Sequence, residues 1–172
     1  RTTDRNYFVS YFNVRDFGNI QGDNFTYSAE VKNPLDEGGL TCQFVQIILL
    51  CETGRFVIPL SARGCISELY FILLDNVMRG SEHDLSAFGT DLSDWNTLTL
   101  RTEAKRVEIH LNDENIATER FMRDPGRIVG LVVQFYGTGS VRNVVLRDAQ
   151  GLAVFSDLPK LPQAAPSKLS LR

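Results

Sequence analysis

Residues 24–32 read NFTYSAEVK, in which Phe25, Tyr27, Ala29 and Val31 alternate with polar side chains. A period of two belongs to a strand with one buried and one wetted face, and it does not fit the 3.6-residue period of a helix. Residues 106–111, RVEIHL, repeat the pattern, with Val107, Ile109 and Leu111 set against Arg106, Glu108 and His110. Longer apolar runs, Phe44 to Leu50, Ile66 to Leu74 and Ile128 to Tyr136, fit strands in the middle of a sheet, covered on both faces. Turn-forming stretches (KNPLDEGG, ETG, LNDEN, DPG, YGTG, DAQG) fall too close together for a series of helices. The sum is about ten or eleven strands, and the expected fold is all-β, two antiparallel sheets packed as a sandwich.

The chain of 172 residues fits one such domain, expected over residues 1–157. After Asp157 the sequence LPKLPQAAPSKLSLR has three prolines, no aromatic residue and no apolar period, so residues 158–172 read as a tail or linker. Net charge is -3 with both signs mixed along the chain, which offers no basic stripe for nucleic acid. The longest purely apolar run, Ile47 to Cys51, is far short of the roughly 20 residues that span a bilayer. The chain begins at Arg1 without a methionine or a signal-like apolar core, as expected of a piece of something longer.

Three cysteines fit no C-x-x-C pattern. TCQFVQIILLC (41–51) and RFVIPL (55–60) flank Thr53-Gly54, so a two-residue turn is expected to pair Glu52 with Arg55. In that register Cys42 faces Cys65, whereas Cys42 and Cys51 are separated by about 30 Å of extended strand. A Cys42–Cys65 disulfide with Cys51 free and buried is one reading, and three reduced, buried cysteines are the other. Pro59 lacks an N–H and marks an edge or a bulge able to slip the register. A disulfide implies an extracytoplasmic compartment.

Residues 84–95, DLSAFGTDLSDW, raise a question about chemistry. Glu82, Asp84, Asp91 and Asp94 supply hard oxygen ligands suited to calcium, the one cofactor the sequence suggests. The same aspartates and serines cap turns and short helices through local side-chain bonds, and then Leu85, Phe88 and Leu92 pin the connection to the sandwich. Other sites fail on spacing. Glu37-Gly38-Gly39 and Gly137-Thr138-Gly139 read as tight turns, the latter a hairpin between two strands with no helix N-terminus to receive a phosphate. No G-x-S-x-G elbow occurs, His110 lies on the polar side of its strand, His83 sits in a loop, and Cys51 ends an apolar strand.

DWNTLTLR, RVEIHLNDENIA and GRIVGLVVQFYGTGSVRNVVLRD, together Asp94 to Asp148, resemble the second half of concanavalin A-like jelly rolls, above all laminin G-like domains and the 3-keto-disaccharide hydrolase domain family. The resemblance implies that Gly130 to Gln134 and Arg142-Asn143-Val144 form a closing hairpin. Alongside it, Trp95, Leu98 and Leu100 are expected to bury toward one sheet face. Jelly-roll glucanases resemble one another in an E-x-D-x-E strand, which is missing here: the only carboxylates two apart are Glu82 and Asp84, in the loop GSEHD.

The reading is therefore a non-catalytic, extracytoplasmic binding or sensing module, with carbohydrate as the ligand implied by the fold and Tyr70, Tyr136 and Asn143 as ligand-binding candidates. A glycoside-acting hydrolase of the keto-disaccharide hydrolase type is the alternative, and a structural or protein-interaction domain with an edge strand offered to a protein partner the third.

Overall fold

The computed structural model describes residues 8–14, 16–34, 42–137 and 139–157. The Pro-rich segment 158–172 and the Glu37-Gly38-Gly39 turn lie outside the described residues. Among those described, the strands are β1 Phe8–Val14, β2 Asn24–Lys32, β3 Phe44–Cys51, β4 Gly54–Ala62, β5 Tyr70–Leu73, β6 Asn76–Arg79, β7 Gly89–Thr90, β8 Asn96–Glu103, β9 Arg106–Leu111, β10 Glu114–Arg120, β11 Ile128–Tyr136, β12 Ser140–Arg147 and β13 Ala153–Ser156. They form a seven-stranded sheet in the order β1-β11-β3-β4-β5-β6, with β7 beside β4, and a six-stranded sheet in the order β10-β9-β8-β2-β12-β13. Every pairing is antiparallel except β4 with β7. There are more strands than the sequence suggests because short ones such as β6, with four residues, and β7, with two, carry little apolar pattern, and the Ile66–Leu74 run is shorter as a strand than it reads. Ile66–Glu68 is a 3-10 turn, and only Tyr70–Leu73 joins the sheet, next to its edge.

The alternating stretches behave as read. Phe25, Tyr27, Ala29 and Val31 on β2, Leu98 and Leu100 on β8, and Val107 and Ile109 on β9 are all buried. Opposite them lie Ile47, Leu49, Phe56, Ile58 and Phe135 of the seven-stranded sheet. The Phe25 and Phe56 rings meet across the sheets at 6.2 Å, and Phe121 abuts Phe56 at 5.3 Å. Each such side chain contributes about 1.5–3 kcal/mol by leaving water. Leu85, Phe88 and Leu92 are buried, so the 84–95 connection is indeed pinned to the core.

Trp95 is not in that core. It shares parity with Thr97 and Thr99, not with Leu98 and Leu100, so it stands half-buried on the outer side of the sheet. Asn96 takes the inward position, where its Nδ2 donates to the carbonyls of Asp91 (2.7 Å) and Asp94 (3.0 Å) and its Oδ1 accepts from Asn112 Nδ2 (2.9 Å).

The expected closing hairpin is also replaced. β11 and β12 lie in different sheets, and Gly137 and Gly139 form the corner between them. Gly137 has φ 80°, and a Cβ on Gly139 would lie 2.0 Å from the Phe135 ring. The reason is packing: a hairpin puts both strands in one sheet, whereas here Phe135 and Leu146 face one core from opposite sides.

The turn between β3 and β4 is Glu52-Thr53, with Cys51 opposite Gly54, one residue earlier than the expected Thr53-Gly54. Glu52 is held in the turn by Arg127, whose N–H and Nε donate to its carboxylate at 2.9 Å each. Thr53 Oγ1 donates to the Asp124 carbonyl. Continuing this register puts Cys42 opposite Arg63, yet Cys42 and Cys65 are bonded, with Cα atoms 5.6 Å apart. β4 stops at Ala62, and a turn through Gly64 (φ 90°), closed by Cys65 N–H to the Ala62 carbonyl (3.1 Å), swings Cys65 back to Cys42. Pro59 causes no bulge. It pairs with Gln46, and β5 reaches only Phe56 and Val57, so its missing N–H faces no partner strand there.

Cys51 is buried and free. Burial, helped by Glu52, pushes its thiol up to about 12. Alkylation without reduction is expected to leave the native chain unlabelled and to add one label after denaturation, with three after reduction as well. More than one label without reduction would mean that Cys42 and Cys65 are not joined. Replacing both by serine should lower the unfolding free energy by about 3 kcal/mol, the loop-closure cost for a loop of this length, measured by urea titration.

Candidate ligand-binding face

Because β2, β8, β9 and β12 turn their apolar members inward, their polar members share the outer face of the six-stranded sheet. The registers align them in rows. Arg142, Glu30 and Thr97 form one, and Val145, Ser28, Thr99, His110 and Asn115 the next. Beyond them come Arg147, Thr26, Arg101, Glu108 and Thr118. Hydroxyl, amide, imidazole and guanidinium groups are thus spread over neighbouring strands, the set of directional partners that a hydroxyl-rich ligand needs.

One end of this face is organised around Trp95. The Arg142 guanidinium lies 3.9 Å from its ring centroid and Lys32 Nζ 5.0 Å, both in cation–π contact. Arg142 Nε donates to Glu30 Oε2 at 2.6 Å, and Asn143 Nδ2 donates to Glu30 Oε1 at 2.6 Å. Asn143 reaches Glu30 because β12 is irregular there, between the Arg142–Glu30 and Val145–Ser28 pairs, with Asn143 at φ 54°. Hydrogen bonds from Asn143 first and Arg142 second hold the Glu30 carboxyl below its ordinary range. At the other end, Arg101, Glu103, Ala104, Arg106, Glu108 and Arg120 line a depression of about 310 Å³.

The three ligand candidates do not converge. Asn143 is on this face. Tyr136 is on the other sheet, stacked on Phe44 at 4.8 Å, and Tyr70 is near that sheet's far edge, with Arg79 6.0 Å over its ring. The four acids of the calcium reading each have a local partner. Asp84 accepts from Ser86 N–H (2.9 Å), Asp91 from Ser93 N–H (2.9 Å) and Oγ (2.6 Å), and Asp94 from Trp95 N–H (2.7 Å). Glu82 pairs with Arg79 at 3.5 Å. The serine bonds lower the Asp84 and Asp91 pKa values. Among the described residues no group of three or more His, Cys, Asp or Glu is placed to hold a metal ion. Sequence reading missed Arg142, Glu30, Thr99 and Arg120 as neighbours. Alternation put Glu30 and Thr99 on a wetted face, but strand order decides that β2 lies between β8 and β12.

Two other surfaces differ in character. On the outside of the seven-stranded sheet, Phe12, Val132, Ile48, Val57, Ile72 and Val77 fall in one register row across six strands, an apolar band whose ends are 66% and 43% exposed while Val132, Val57 and Ile72 within it are buried. Between the sheets, a cleft of about 370 Å³ is lined by Leu131, Val133, Val141 and Val144 together with Tyr11, Asn13, Tyr27, Ser140 and Asp157. There the buried Tyr27 hydroxyl has no hydrogen-bond partner among the described residues, and burial, with Asp157 nearby, raises its pKa. Neither spreads polar side chains over five adjacent strands as the six-stranded sheet does.

No protein-family model matches the chain, and no curated protein sequence matches it. Solved structures do. The carbohydrate-binding module CBM66 from Bacillus subtilis superposes with a TM-score of 0.51 at 14% identity, over 80% of this chain and 81% of that one. The catalytic domain of an endo-1,3-beta-glucanase from Thermotoga petrophila gives 0.44 at 11% identity, over 72% and 56%. Sheep galectin-11 gives 0.44 at 10% identity, over 81% and 99%. The likeness to the first is one of fold, and the fold is a concanavalin A-like jelly roll.

Glu30 supplies a test of the Trp95 end. Its folded pKa is depressed, so its contribution to stability is complete above the ordinary carboxylate range and is lost as pH falls through the lowered value. Asn143→Ala and Arg142→Gln should each move the Glu30 titration back up, read from its side-chain carboxyl signal by NMR. An unshifted titration in both variants would show that the two donors do not hold the carboxylate.

Proposed function

We propose that this domain is a non-catalytic, extracytoplasmic carbohydrate-binding module that meets its ligand with the outer face of the six-stranded sheet. The observation that carries the reading is the polar array itself, hydrogen-bonding side chains from five adjacent strands on one surface. A glycan presents alternating hydroxyls and is recognised by such fixed donors and acceptors. The jelly-roll fold shared with a carbohydrate-binding module agrees with it, and Asp94 to Asp148 suggest kinship with the laminin G-like and 3-keto-disaccharide hydrolase domain groups. The Cys42–Cys65 bond supports an oxidising compartment.

The non-catalytic part rests on the glutamates of this face. Glu30 pairs with Arg142, Glu103 with Arg101 and Glu108 with Arg106. A glycosidase needs one carboxylic acid with a raised pKa to protonate the leaving group, whereas Glu30 is shifted the other way. A second reading, a protein-interaction domain, is favoured by the exposed end of the apolar band at edge strand β1, where Phe12 and Val14 are open to solvent, since an edge strand can take up a partner strand.

A polysaccharide microarray followed by titration calorimetry tests these readings. Binding is expected, without release of reducing sugar, and Thr99→Arg in the middle of the polar face should weaken it by about tenfold or more, since a bulky charge there blocks close approach. Binding that survives Thr99→Arg but is lost in Ile48→Glu would transfer the site to the apolar band, and failure to bind any glycan would end the carbohydrate reading.

A further inference from the structure

We propose that the depression at the β8–β10 end of the polar face is an anion site, so that the saccharide recognised there carries a carboxylate or a sulfate. This rests on the carbohydrate reading of the same face and adds the charge of the ligand. Arg106 and Arg120 are directly opposite each other in the antiparallel β9–β10 pair, and both project outward. Side chains so placed start about 4.5–5.5 Å apart, and like charges there repel. The acids nearby do not relieve the repulsion for both. Arg106 Nη2 is 2.8 Å from Glu108 and Arg101 Nη2 3.0 Å from Glu103, each an ion pair made by residues two apart on one strand. Arg120 has no ion pair among the described residues. Three guanidinium groups against two carboxylates leave one positive charge in the depression, on a chain whose net charge is -3.

An oxyanion placed between Arg106 and Arg120 would remove the repulsion and take two parallel N–H donors from a guanidinium fork, a geometry that suits carboxylate and sulfate alike. The ion pairs with Glu108 and Glu103 hold Arg106 and Arg101 in place before the ligand arrives, so less side-chain freedom is lost on binding. The β8–β9 turn keeps the mouth open. Ala104 contributes only a methyl group, and the Lys105 ammonium is engaged with the Met122 carbonyl at 2.9 Å. A volume of about 310 Å³ is at the small end for ligand pockets and suits one acidic sugar residue at the end of a chain that continues along the face. All these arginines are exposed, so the attraction is screened by salt.

The experiment compares matched pairs on the intact domain: oligogalacturonate with its methyl ester, and dextran sulfate with dextran. Calorimetry is expected to give at least about tenfold tighter binding of one acidic member than of its neutral partner, with the preference shrinking as salt is added. Arg120→Gln should abolish the preference and Arg120→Lys, which keeps the charge without the fork, should retain part of it. Arg79→Gln on the other sheet should leave it unchanged. The melting temperature of Arg120→Gln should equal or exceed that of the parent, since the change removes a repulsion, which separates lost binding from lost folding. Equal binding of acidic and neutral partners overturns the anion site and leaves the carbohydrate reading standing. Binding of no glycan, charged or neutral, overturns both.

Discussion

Each principal strand of this sandwich has two faces, and the core between the sheets claims one of them. That constraint fixes the rest. Phe25, Tyr27, Leu98, Leu100, Val107 and Ile109 must point toward Ile47, Leu49, Phe56, Ile58 and Phe135. Slipping any of these strands by one residue would expose its whole apolar row and bury its charges, at about 1.5–3 kcal/mol for each large side chain exposed. With the inner faces determined, the outer faces are determined too. The residues that the core leaves over therefore make up the two outer surfaces.

The connections obey the same constraint through polar groups. Asn33, at the end of β2 and almost fully buried, donates through Nδ2 to the carbonyls of Phe44 and Tyr136, and its N–H bonds the Leu92 carbonyl. One residue, through its side chain and its backbone N–H, thus ties the six-stranded sheet to two strands of the other and to the 84–95 connection. Asn96 does the same within that connection, which is why DLSAFGTDLSDW is ordered by amide and aspartate bonds to its own backbone. Buried amides of this kind are costly if left unpaired, so satisfying them fixes one geometry for each loop.

The two outer faces then differ in kind. The seven-stranded sheet carries a band of Val, Ile and Phe, and the six-stranded sheet carries ion pairs, hydroxyls and one indole. Arg142 on Trp95 and the paired glutamates show charges neutralised locally across much of that face, while Lys32, Arg147 and Arg120 have no ion pair among the described residues. Of these, Arg120 is the one that stands directly opposite another arginine, Arg106, in the strand register.

Much of this was legible in the sequence. Alternation in NFTYSAEVK and RVEIHL gave the strands and their buried rows, because the period of two is a property of the extended backbone. The buried Leu85, Phe88 and Leu92, the turn capping by Asp84 and Asp91, and the cysteine pair were also readable, the last even though the turn lies one residue away from its expected place. Parity misplaced Trp95 only where it was not counted strictly, since 95 and 98 cannot share a face. Tertiary structure alone decided that β11 and β12 belong to different sheets, that Tyr70 and Tyr136 stand apart from Asn143, and that Glu30 meets Arg142 across 112 residues of sequence. Local sequence sets which face a side chain takes. Which strands lie side by side is set by the packing of the whole core, and only that brings distant residues into one site.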